Sequence, residues 1–172
     1  MRYFYKGKFE KCLEMLNDYL KDVDFNYLAL YYKARCLSVL KENDQALSIF
    51  EDLLDIHIDK EVVLMQIGYI HYLNSHLDKA KHAFEQIVKI NQYNIRGNYY
   101  LGIINYDLKN YENAIGYFNN ALDFENDIYN SDGYNVYLDR AKAYYENKDF
   151  EKAMKDLNEA KEIEPDNYFI YY

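Results

Sequence analysis

The chain of 172 residues contains no tryptophan, one proline (Pro165) and six glycines. So few backbone breakers exclude a turn-rich, strand-based architecture and leave long uninterrupted helices. Arginine occurs only at Arg2, Arg35, Arg96 and Arg140, and lysine plus arginine number 20 against 29 aspartates and glutamates, for a net charge of −9. Wrapping nucleic acid requires a basic face, so a nucleic-acid partner is not expected. No apolar run is long enough to cross a membrane. The opening residues MRYFYKGKFEK lack the apolar stretch of a signal peptide. The expected setting is therefore cytoplasmic, with no membrane partner. Cys12 and Cys36 fit no metal or redox spacing and read as small buried thiols.

Sites for chemistry are equally scarce. His71, His76 and His82 form no i, i+4 pair on one helix, so no metal site is expected. There is no phosphate-cradling glycine loop and no nucleophile motif. Asp44, Asp78 and Glu112 stand near expected helix starts, where a carboxylate favours the helix dipole. The reading is of a protein that is not an enzyme and carries no cofactor.

What is present is a period. Ala46, Ala80 and Ala114 are 34 residues apart. Four residues after each stands Phe50, Phe84 or Phe118, and twelve before each stands Ala34, Gly68 or Gly102. The pattern resumes at Ala141, Ala153 and Leu157 after five extra residues, and runs backwards to Cys12 and Leu16. Small residues on facing helices let two backbones approach, and the large residue one turn further on fills the space beside them. Within a copy, Ala114, Ile115, Phe118, Ala121 and Leu122 show the three- and four-residue spacing of an amphipathic helix. Two helices of about fourteen residues, each about 20 Å long, fit one period with tight turns. The expected helices are 26–39 with 44–57, 60–73 with 77–90, 94–108 with 111–124, and 134–146 with 150–163. The five extra residues fall within Asn126–Gly133, expected to form a longer loop or an extended helix start capped by Ser131 or Asp132.

These residues resemble the tetratricopeptide repeat family. The best copy spans Tyr134–Asn167 and contains Ala141, Tyr144, Phe150, Ala153, Leu157, Ala160 and Pro165. Departures are Ile58, Gln92 and Asn126 in the place of the terminal proline, Lys33 and Arg140 in a leucine place, and His71 and Asn105 in a tyrosine place. The resemblance implies an all-α superhelix (α-solenoid) of antiparallel helix hairpins. It divides the single 1–172 domain into a partial repeat 1–26, full repeats 27–60, 61–94, 95–133 (with the insertion) and 134–167, and the start of another at 168–172. One hairpin cannot bury its apolar face alone, so neighbours must stack.

The resemblance also implies a function, an adaptor or scaffold binding a peptide segment of a partner protein in a groove lined by first helices. The second, fifth, ninth, twelfth and thirteenth positions of each repeat face that groove. They implicate Tyr31 and Arg35, then Met65, Tyr69 and Tyr72, then Arg96, Tyr99, Ile103 and Tyr106, and finally Leu138, Lys142 and Tyr145. Tyrosine and arginine suit interface anchors, so an apolar or aromatic peptide with some acidic character is expected. The clamp that holds chaperone tails asks for asparagine and lysine where Arg35 and Tyr31 stand, so that partner class is not expected. Both ends break off in phase: Arg2–Tyr5 match the end of a first helix and Tyr168–Tyr172 the opening of a further repeat. Three explanations stand. The chain is a piece of a longer protein, or the tail folds back as a cap, or the ends join in homotypic assembly. A non-catalytic part of a larger enzyme or regulator is a further alternative.

Overall fold

The computed structural model describes residues 2–56, 59–122 and 131–163. Among them the regular elements are all helices: α1 (Arg2–Tyr5), α2 (Phe9–Tyr19), α3 (Tyr27–Val39), α4 (Asn43–Asp55), α5 (Lys60–Leu73), α6 (Leu77–Ile90), α7 (Ile95–Asp107), α8 (Tyr111–Leu122), α9 (Ser131–Glu146) and α10 (Phe150–Ile163). The boundaries follow the expected hairpins closely. The main difference is α9, which starts at Ser131 rather than Tyr134, so part of the five-residue excess lengthens a helix. The remainder of that segment, Pro165 and Tyr168–Tyr172 lie outside the described residues. The chain divides into two compact units, Met1–Gln86 and Ile87–Tyr172.

Local chemistry explains the helix ends. The side chains of Asn26 and Asn94 accept the amide hydrogens of Ala29 and Gly97 at 2.9 and 2.8 Å, capping α3 and α7. Asp44, Asp78, Glu112 and Glu151 occupy first turns of second helices, where the positive end of the dipole lies. Each turn from a first to a second helix passes through one left-handed residue: Gly7, Lys41, Ser75, Lys109 and Lys148. At each, two amides bond back to carbonyls of the helix just ended, as with Lys109 to Tyr106 at 2.8 Å and Asn110 to Asn105 at 2.8 Å. This closes the first helix and reverses the chain within a few residues.

In the first unit, α3 packs on α2, α4 and α5. Its core gathers Ala34, Leu37, Ala46, Phe50, Leu53, Val63, Ile67 and Ile70. In the second unit α7 pairs with α8, α9 with α10, and α8 packs on α9. Ala114, Phe118, Ala121, Leu122, Val136 and Ala143 form the buried cluster there. Phe50, Phe84 and Phe118 are each fully buried. A methyl group added at Gly68 would lie 2.7 Å from the ring of Phe84, and one at Gly102 would lie 2.5 Å from that of Phe118. Glycine there is a requirement of close helix approach.

Several sequence departures become structural features. Arg140, in the leucine place, donates through Nε and Nη2 to the two carboxylate oxygens of Asp156, both at 2.7 Å, and through Nη1 to Asn119 at 2.8 Å. A buried aspartate thus answers a half-buried guanidinium with the fork geometry that arginine favours. His71 is buried in the tyrosine place, and its Nδ1 finds no hydrogen-bond partner among the described residues. Asn105 is buried too, and its amide donates to the Leu101 carbonyl at 2.7 Å. Cys12 and Cys36 are both buried, free, and packed with Phe4 in one cluster. Burial, together with a hydrogen bond to Cys12, pushes the Cys36 thiol up to about 12, so it has none of the thiolate character that reactivity needs.

Candidate binding faces

In the first unit the implicated residues stand on α3 and α5, two first helices in contact. Their surroundings differ sharply. Tyr31 is only 9% exposed; its ring meets Phe50 edge-on at 5.8 Å and stacks over Tyr27 at 6.2 Å. It is a core residue, contrary to the expectation that it faces a groove, because the fifth position of this helix turns back onto the phenylalanine of the second. Burial raises its phenol above the usual value. Arg35 is half-buried, and its guanidinium lies over Phe4 at 4.5 Å, Tyr31 at 5.8 Å and Tyr32 at 5.9 Å. Met65 and Tyr72 are half-buried, and Tyr69 is 40% exposed.

The same repeat positions also carry exposed aliphatic side chains, Leu73 among them. Leu28 and Val39 on α3, and Val62 and Leu73 on α5, are among the exposed large hydrophobics. They occupy second and thirteenth positions of their repeats. On α3, Leu28, Arg35 and Val39 are separated by seven and then four residues, and on α5 so are Val62, Tyr69 and Leu73, so each trio shares one helix face.

In the second unit the residues stand on α7 and α9, again two first helices in contact. Ile103 and Tyr106 are half-buried against the unit's core, as is Tyr99, whose ring lies 6.1 Å from Phe118. The Tyr99 hydroxyl donates to Asp139 Oδ2 at 2.8 Å, and Lys142 Nζ donates to Asp139 Oδ1 at 2.7 Å. Asp139 thus accepts from the Tyr99 hydroxyl and balances Lys142. Leu138 is half-buried, Arg96 exposed, and Tyr145 is 62% exposed with its ring edge-on to Phe150 at 5.3 Å.

Among the described residues no group of histidine, cysteine and carboxylate side chains could hold a metal ion. His71 and His76 have ring centroids 5.8 Å apart, and His82 is exposed. No helix among the described residues is long and apolar enough to cross a membrane.

Models of the tetratricopeptide repeat match residues 28–57, 66–131 and 134–167, which together cover most of the chain. The chain belongs to the tetratricopeptide repeat family, a class of protein-interaction repeat modules whose members are typically non-catalytic scaffolds. Solved structures agree. A tetratricopeptide repeat protein from Parabacteroides merdae has a TM-score of 0.82 at 16% identity, covering 99% of this chain and 66% of that one. MamA from Desulfovibrio magneticus RS-1 has a TM-score of 0.80 at 18% identity, covering 95% of this chain and 90% of that one. YrrB, a TPR protein with an unusual peptide-binding site, has a TM-score of 0.74 at 16% identity, covering 98% and 84%. Identities this low establish a shared fold and nothing finer. No curated protein sequence matches the chain.

Proposed function

We propose that this protein is an adaptor or scaffold that binds a peptide segment of a partner protein on the exposed faces of its first helices. The observation that carries this reading is the exposure of Leu28, Val39, Val62, Tyr69 and Leu73 on α3 and α5, at positions where a solvated helix would present charge. Exposed apolar residues that share a face mark interaction surfaces, whereas scattered ones need no explanation. Tyr69 and Tyr145 each present a large ring that is partly exposed, at low entropic cost, which suits contact anchors. That YrrB carries a peptide-binding site on the same fold supports the reading by analogy.

Affinity capture with the folded chain, followed by peptide mapping of what is retained, tests the proposal. The variant Tyr69→Ala with Leu73→Ala stays on one face of α5 in the first unit, and neither side chain belongs to the buried core. It should weaken binding of the mapped peptide about tenfold or more, the loss of an aromatic anchor and its apolar neighbour. Unchanged binding by a folded double variant would remove these faces from consideration. Sedimentation across a concentration range separates the module from a self-assembling protein, whose mass would rise with concentration.

A further inference from the structure

Three cations fall among the residues implicated in binding, and their environments are unequal. Lys142 is neutralised by Asp139 at 2.7 Å. Arg96 has further interactions of its own. Arg35 is different: it is held by rings. Phe4 lies beneath the guanidinium at 4.5 Å, with Tyr31 and Tyr32 beyond it. The rings are themselves fixed: Phe4 is buried and packs edge-on against Tyr32 at 5.2 Å, and the Tyr5 and Tyr32 hydroxyls are hydrogen-bonded at 2.8 Å. Asp59 acts electrostatically on Tyr31, yet among the described residues no carboxylate forms an ion pair with Arg35. Arg140 shows what the same side chain does when the fold intends to neutralise it, with both oxygens of Asp156 in place.

An aromatic cradle satisfies the face of a guanidinium but leaves its in-plane N–H donors to seek an acceptor. It also holds the fork in one orientation, so less entropy is lost when a planar anion pairs with it. The flanks of Arg35 narrow the choice of anion. Leu28 lies two turns before it on the same face of α3 and Val39 about one turn after it, and both are more than half exposed. A ligand using all three must continue past the charge in both directions. We propose that Arg35 is the anchor for an acidic side chain, Asp or Glu, inside a peptide segment with apolar residues on either side of it. This rests on the peptide-binding reading above and adds the identity of one required residue in the partner. A chain terminus, by contrast, would leave one of the two apolar flanks unused.

The scarcity of arginine makes a direct test possible, since four arginines give a sparse set of Nε–Hε signals in a ¹⁵N-resolved spectrum. Arg35→Gln identifies the Arg35 signal by its loss. The probes are the blocked peptide acetyl-Ala-Leu-Tyr-Glu-Tyr-Leu-Ala-amide, its counterpart with Gln for Glu, and that Gln peptide with a free C-terminal carboxylate. The Glu peptide should shift the Arg35 signal saturably and bind about tenfold more tightly than the Gln peptide, the scale of a charge-assisted hydrogen bond. Arg35→Gln should abolish that preference while leaving the Gln peptide's affinity unchanged. Arg35→Lys, which keeps charge but loses the planar fork, should retain only part of the preference, and it serves if Arg35→Gln does not fold. Equal binding of the Glu and Gln peptides, with shifts at Tyr69, would overturn the assignment to Arg35 while leaving the peptide-binding face intact. A free terminus that replaces Glu without loss would overturn the internal position. No shift of the Arg35 signal with millimolar Glu peptide would overturn the proposal outright.

Discussion

Replacing Gly102 by alanine sets two effects of opposite sign against each other. In a helix interior, alanine is favoured over glycine by about 1 kcal/mol. Gly102 lies within α7, so propensity alone predicts stabilisation. Against this, the new methyl carbon would stand 2.5, 2.6 and 2.9 Å from three carbons of the Phe118 ring. Phe118 is fully buried, and Tyr99 lies 6.1 Å away on one side of it, so the ring has little room to swing. Over-packing of this kind costs about 1–3 kcal/mol where the neighbours cannot yield. With three contacts all shorter than 3 Å, the upper part of that range applies. The net expectation is a loss of about 1–2 kcal/mol, which lowers the midpoint by roughly 2–8 °C for a chain of this size. Gly116 supplies the control within the same unit. It is exposed within α8, and nothing lies within 4 Å of the carbon that would be added. Gly116→Ala should therefore stabilise by about 0.5–1 kcal/mol. Urea unfolding followed by circular dichroism measures both. If Gly102→Ala stabilises as much as Gly116→Ala, the close approach of α7 to Phe118 is wrong, and with it the assigned packing of the hairpin. A second check comes from Gly102→Ala combined with Phe118→Leu. The smaller side chain frees the space, so the double variant should lose less than the sum of the two single changes.

Two further outcomes follow from the polar groups inside the fold. Asp156→Ala leaves the half-buried Arg140 without its bidentate partner and should cost about 3–5 kcal/mol, whereas Arg140→Leu with Asp156→Leu should be close to neutral or stabilising in urea unfolding. His71 is held below its ordinary value of 6.5, first by burial and then by the charges of Lys79 and His76, with Glu51 opposing. Because its folded value is lower than its unfolded one, its contribution to stability is fully present above about pH 6.5 and is lost as pH falls through the folded value. Stability should therefore decline between pH 7.5 and pH 5.5, and His71→Tyr should make that decline shallower; equal slopes for the two proteins would show that His71 is not the group responsible.

The helices, their pairing and their turns were legible in the sequence because they depend on local periodicity. Small residues recurring every 34 positions, with a phenylalanine four residues after each alanine, determine which helix faces meet whatever the surrounding side chains are. The start of α9 was less legible, since Ser131 is compatible with a cap outside the helix or a place within its first turn. The candidate faces were legible as register and illegible as environment. Register placed Tyr31, Arg35 and Lys142 on equivalent faces, but whether each is open depends on groups brought to it by other elements. Phe50 from α4 covers Tyr31, Asp139 on the same helix balances Lys142, and α1 places Phe4 under Arg35. The same holds for Arg140, whose acceptance in a leucine place rests on an aspartate sixteen residues away on α10. By itself, the sequence determined the repeat, the hairpins and which side chains share a helix face. Only the tertiary structure decided which of those side chains are buried, which are neutralised and which remain open. The physical reason is that burial and charge balance are set by the sum of neighbours in space, and a period along the chain specifies only one of them at a time.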